Sequence, residues 1–167
     1  IYIDDSAGLD ITELRARARR LKKKHQVDLI IVDYLQLLHA EAYTRQGRQV
    51  EITAVSGGIK AMAKELKVPV LCLSQLSRAP ETRDKLGKPR LSDLRDSGSI
   101  EQDADVVLLL RRPCKYEADA ESNDSTLAVV DVAKHRNGPT CDDVRFTFRD
   151  TYTLFQDRSE AEPGAPA

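Results

Sequence analysis

Two polar residues stand directly after short apolar runs: Asp33 after Leu29-Ile30-Ile31-Val32, and Gln75 after Val70-Leu71-Cys72-Leu73-Ser74. Uninterrupted apolar runs of that length are the pattern of strands buried on both faces. Ligands of open parallel sheets collect outside the carboxyl ends of the strands, which makes both residues candidates for a site. A carboxylate fixed there can hold the water shell of Mg²⁺ beside nucleotide phosphates, the task of a Walker B aspartate. A neutral amide at the next strand end can touch a γ-phosphate without adding charge. Each residue also has a plainer reading: Asp33 as the residue where a loop begins, and Gln75 as a loop amide satisfied by backbone. The order along the chain, acid first and amide second, favours the phosphate site.

The elements that must position these residues follow from periodicity. Ile1-Tyr2-Ile3 reads as a strand already under way at residue 1, so the chain is expected to be cut from a longer one. Asp10 followed by Glu13 resembles a capping box, and Leu14, Ala18 and Leu21 recur at helical spacing, which predicts a helix over residues 11–25. Its Arg15, Arg19, Arg20, Lys22 and Lys23 form a basic face, read as solvated because no aromatic residue is interleaved. A polar loop is expected from His39 to Arg48, then a helix with Ile52, Val55, Ile59, Met62 and Leu66 on one face, ending before Pro69. Strand, helix, strand, helix and the strand Val106–Leu110 predict an α/β fold with a mainly parallel sheet. Beyond residue 113 the acidic stretch 114–125 reads as a mobile loop. Leu127–Ala133 and Val144–Phe148 read as a β-hairpin turning at Asn137-Gly138-Pro139. The domain is expected over residues 1–157, with residues 158–167 a disordered tail rich in Ala, Pro, Gly and Glu.

Composition removes other classes. The chain has 167 residues, enough for a real core, and a net charge of -1, so any polyanion site must be built locally. The apolar runs are far too short to span a bilayer, and the chain reads as cytoplasmic. Cys72, Cys114 and Cys141 are too widely spaced for a zinc pair, and His25, His39 and His135 form no ligand spacing.

Four segments, in order, carry a family resemblance: residues 29–38 (LIIVDYLQLL), 68–78 (VPVLCLSQLSR), 92–105 (SDLRDSGSIEQDAD) and 133–140 (AKHRNGPT). The chain resembles the DnaB-type replicative DNA helicases over the downstream portion of their RecA-like ATPase domain, from Ile1 to about Phe155. The resemblance implies a hexameric ring that moves 5′ to 3′ on single-stranded DNA with ATP and Mg²⁺, with primase and a helicase loader as partners. It makes Asp33 the Walker B carboxylate and Gln75 the phosphate sensor. It places Arg95-Asp96-Ser97-Gly98 on a central-channel loop that grips DNA phosphates through the arginine and backbone amides. Glycine permits close backbone approach and Arg95 supplies a local cation, although without the resemblance the same residues read first as an Asp/Ser-rich helix cap with Arg95 in a surface ion pair. Lys134 and Arg136 match positions that reach into a neighbouring subunit's ATP site. Two residues apart on a strand, they are expected on one face, as an arginine finger requires or as an exposed basic edge would show.

Departures from the family pattern limit the expectation. No G-x-x-x-x-G-K-[ST] occurs in the chain, and the family's catalytic glutamate has no counterpart here, so the chain by itself is expected to be inactive. Gly57-Gly58 lies inside the second helical pattern, where each glycine costs roughly 1 kcal/mol. Other readings are a RecA-like fragment that binds DNA or partner subunits without turnover, and another RecA-like ATPase such as a recombinase, for which no motif is present.

Overall fold

The computed structural model describes residues 1–77, 88–94, 98–115 and 123–158. They form two compact units, one of Ile1–Leu76 with Leu94–Ala104, the other drawn from Ser77–Asp93 and Asp105–Ala167.

In the first unit, α1 spans Ile11–His25 as its spacing predicts. Asp10 is extended and its Oδ1 accepts from the Thr12 N–H at 2.7 Å, satisfying one of the helix's orphan donors. Glu13 turns instead to Arg17, so only half of the capping box forms. The basic face is largely engaged within the chain: Arg15 and Arg19 bind Glu65 on α2 (Arg48–Leu66), and Arg17 binds Asp4. Hydrogen bonds from Arg19 and then Arg15 hold the Glu65 carboxyl at about 2. Strands β1 (Ile30–Val32) and β2 (Val70–Cys72) pair in parallel, with Ile30 opposite Val70 and Val32 opposite Cys72. One side of the pair packs into a core of Ile11, Val32, Leu35, Leu38, Ala40, Ile52, Val55 and Ile59. Burial on both faces is not observed. Leu29, Ile31, Leu71 and Leu73 remain exposed, because among the described residues nothing covers the second face. The expected strand at Ile1-Tyr2-Ile3 is also absent. Those residues are exposed and pair with no described strand, and unpaired extended backbone is not a strand.

The two glycines of α2 do not break it, and they differ in role. A Cβ on Gly58 would lie 2.4 Å from Ile11 Cγ1, whereas one on Gly57 meets no described atom within 4 Å. Gly58 therefore lets α1 approach α2 closely, and Ile11 is 8% exposed in the contact. Gly58→Ala should lower stability by about 1–3 kcal/mol through overpacking, while Gly57→Ala should raise it by about 0.5–1 kcal/mol. Thermal denaturation of the two variants checks the opposite signs. A stabilised Gly58→Ala would mean that the helices separate at no cost.

The third helix, α3 (Gly98–Asp103), packs on α2 through Ser56 Oγ donating to Asp103 Oδ2 at 2.6 Å and a Thr53–Ser99 hydroxyl pair at 3.1 Å.

The second unit is an antiparallel meander in the order β3 (Val106–Arg111), β4 (Leu127–His135), β5 (Cys141–Arg149), β6 (Leu154–Asp157). The α/β class thus holds, with a parallel pair and an antiparallel sheet. The third predicted strand runs antiparallel to β4 and buries only alternate residues, Val107 and Leu109. An apolar run specifies a strand but not the direction of its neighbour. The hairpin forms as expected, and β6 extends it. A bulge in β4 buries Asp131, which is 3% exposed; its Oδ1 accepts from the Asp143 N–H at 2.7 Å, and Lys88 Nζ lies 3.5 Å from Oδ2. The expected loop at 114–125 falls mostly at residues 116–122, and the tail at 159–167; both lie outside the described residues.

Candidate functional site

Asp33 is the first residue beyond β1 and Gln75 the third beyond β2, at the carboxyl ends of adjacent parallel strands. The pairing of the two segments continues past the strands. The Leu73 N–H donates to Val32 O and the Leu35 N–H to Leu73 O, both at 2.9 Å. Both site residues are exposed, and among the described residues neither the Asp33 carboxylate nor the Gln75 side-chain amide has a hydrogen-bond partner. Both side chains thus face solvent from the carboxyl ends of paired strands, engaged by no other described side chain and open to a ligand there.

A residue that sequence reasoning assigned no role ties these ends together. Gln36 follows Asp33 by three positions, in a single turn of 3₁₀ helix (Leu35–Leu37). Its Nε2 donates to Ser74 Oγ at 3.0 Å and to Gln75 O at 3.3 Å, and its Oε1 accepts from the Gln75 N–H at 3.2 Å. The Gln36 carbonyl accepts in turn from Arg48 Nη2 at 2.6 Å, and Arg48 Nη1 reaches Glu51 Oε2 at 2.7 Å. Glu51 is 4% exposed; its Oε1 accepts from the Ala40 N–H and lies 3.2 Å from His39 Nδ1. Burial pushes the Glu51 carboxyl up, but Arg48, the Ala40 N–H and His39 together outweigh it and hold the group below the usual range. The signal for Glu51 was present in the sequence, since it lies four residues before Val55 on the buried stripe of α2.

Lys134 and Arg136 belong to the second unit. Lys134 lies in β4 opposite Val107, but the strand ends at His135, so Arg136 is the first residue of the turn and strand alternation does not extend to it. The turn is fixed otherwise. The His135 ring lies where a Cβ on Gly138 would be 2.5 Å from it, His135 Nδ1 is 3.2 Å from Pro139 O, and the Arg136 N–H donates to Asp105 O at 2.8 Å. Asp105 Oδ1 also receives Arg136 Nη1 at 3.1 Å, with both side chains about half exposed. Asp105 is a second partner that the sequence reading left without a role.

Arg95 and Asp96 lie outside the described residues; Gly98 is exposed and opens α3. No three His, Cys, Asp or Glu side chains gather among the described residues. Asp33 is a single exposed carboxylate at a strand end, a donor that could hold a hydrated Mg²⁺ through water. Burial lifts the Cys72 thiol to about 11, which leaves it an inert core residue at neutral pH. No described helix is long and apolar enough to cross a membrane.

A parallel strand pair with helices, followed along the chain by an antiparallel meander, is the element order of part of a RecA-like ATPase domain. Solved structures agree: the chain matches one described as an ATPase domain with a TM-score of 0.85 and 39% identity, covering 95% of this chain and 55% of that one. A DnaB-like replicative helicase, solved in a study of its interactions with primase, gives a TM-score of 0.85 at 38% identity, covering 95% of this chain and 37% of that one. The model of the DnaB-like helicase C terminal domain matches residues 1–157. Replicative DNA helicases DnaB are similar in sequence: that of Leifsonia xyli subsp. xyli is 50% identical over 94% of this chain and 33% of its own length. That of Geobacillus stearothermophilus is 42% identical over 99% of this chain and 37% of its own. The chain belongs to the DnaB-like helicase C-terminal domain family. It spans about a third of the length of these curated relatives.

Proposed function

We infer that this chain is the downstream part of the motor of a replicative DNA helicase, which couples ATP hydrolysis to 5′–3′ movement on single-stranded DNA as a homohexamer. The observation that carries the reading is the pair of unpartnered side chains, Asp33 and Gln75, on pinned adjacent strand ends. Asp33 would hold, through water, a Mg²⁺ bound with ATP, and that ion would supply Lewis-acid stabilisation of phosphate charge. Gln75 offers its amide to the γ-phosphate. Lys134 and Arg136 serve the ATP site of a neighbouring copy, where Arg136 acts as the finger. The exposed Arg136–Asp105 ion pair is itself worth at most about 1 kcal/mol. Arg95 binds DNA phosphates, with Asp96 and Gly98 shaping its loop. Primase and a loader are the partners in replication, and the setting is cytoplasmic.

The reading is tested in a graft, with this 167-residue chain replacing the matched segment of the Geobacillus stearothermophilus relative. Single-stranded DNA should stimulate ATP turnover by the graft, whereas the 167-residue chain alone, having no Walker A sequence, should show none. Arg95→Ala should weaken DNA binding equally for all base sequences and reduce the slope of log affinity against log salt by about 1, since one phosphate contact is lost. A change confined to particular sequences, or an unaltered slope, removes Arg95 from the channel. A graft without DNA-stimulated turnover leaves a RecA-like module that binds without catalysis.

A further inference from the structure

We propose that Gln36 is the positioning residue for the phosphate sensor, clamping the main chain of Gln75 so that its side-chain amide is aimed before ATP arrives. The inference rests on the reading of Gln75 as that sensor.

Strand β2 ends at Cys72, the last backbone bonds joining it to the β1 segment are those at Leu73, and the next backbone pairing is the bridge of Leu76 with Leu94. Gln75 lies exposed between these two anchors, and Gln36 adds a third at Gln75 itself. The side chain of Gln36 is chemically a peptide group, one carbonyl and one amide. It pairs with both the N–H and the C=O of Gln75, and its second donor direction takes Ser74 Oγ. This reproduces a rung of sheet beyond the end of the β1–β2 ladder, and it does so without using the side chain of Gln75. The clamp is itself anchored. Arg48 grips the carbonyl of Gln36 and is held by the buried carboxylate of Glu51. A continuous chain of hydrogen bonds thus leads from the core face of α2 to the sensor loop. A side chain whose main chain is already fixed has less freedom to lose on meeting the phosphate, whereas an unclamped loop must be ordered at each turnover.

The graft carries the experiment, with kcat and KM for ATP and ring assembly measured for Gln36→Met, Gln75→Ala and the double variant. Gln36→Met keeps length and volume and removes all three hydrogen bonds. It should lower kcat roughly tenfold, with KM for ATP within about twofold and rings intact, because the phosphate cradle is untouched. The double variant should be no slower than Gln75→Ala alone, since a clamp has nothing to position once the amide is gone. Three results overturn the proposal: full kcat in Gln36→Met, losses that multiply in the double variant, or loss of ring assembly, which would make Gln36 a structural residue only. Gln75→Ala at full kcat would instead overturn the sensor reading itself, with the fold assignment unaffected.

Discussion

Asp33→Asn in the graft is expected to lower ATP turnover by a factor on the order of 10²–10³, the rate equivalent of several kcal/mol of lost metal-assisted stabilisation. Nucleotide affinity should change far less. A Walker A segment would make most of the phosphate contacts, and Asp33 would meet the metal only through water. The variant is clean because the Asp33 side chain has no hydrogen-bond partner among the described residues, so the amide removes charge without breaking an internal contact. Stability should stay within about 0.5 kcal/mol of the parent, as for an exposed polar exchange. Turnover measured with and without saturating Mg²⁺, alongside nucleotide binding, separates the two effects. Near-parental turnover would reduce Asp33 to the polar residue that happens to follow a strand.

Arg136→Ala should cost more, on the order of 10³–10⁵ in turnover, if its guanidinium neutralises charge on the transferring phosphoryl group. The loss should appear in the subunit that receives the arginine and not in the one that carries it. Each variant subunit should still bind nucleotide normally, since its own site is intact. Removing Arg136 also removes its ion pair with Asp105, in which both side chains are about half exposed. An Asp105→Ala variant separates that loss from the finger and should retain most turnover. If it falls as far as Arg136→Ala, the ion pair rather than the finger matters.

Much of this was legible in the chain because strand ends and helix faces are local features. Asp33 and Gln75 sit where an apolar run stops, and Ile52, Val55, Ile59 and Met62 line the buried side of α2 as their spacing requires. Features that depend on a neighbour were not legible. Nothing in Val106–Arg111 states that its partner runs antiparallel, and nothing in Gly57-Gly58 distinguishes the glycine against which Ile11 packs from the one facing open space. Leu29 and Ile31 read as doubly buried because hydrophobicity records that a face is apolar, not that this segment of chain covers it. Arg136 falls one residue beyond β4, so an alternation argument that holds inside a strand failed at its end, where the turn and Asp105 take over. The Gln36 clamp escaped notice for a related reason. A glutamine in an apolar motif carries no periodicity, and its role is visible only when Ser74 and Gln75 lie beside it.

The central claim is that the ATP site is shared, with Asp33 from one copy and Arg136 from the next. Mixing Asp33→Asn and Arg136→Ala graft subunits tests it most directly, because each variant alone lacks an intact pairing at every interface, while a mixed ring can place an intact Asp33 beside an intact Arg136. The account predicts ATP turnover in mixed rings above that of either variant alone. Mixed rings that demonstrably form yet hydrolyse no faster than the variants would contradict it.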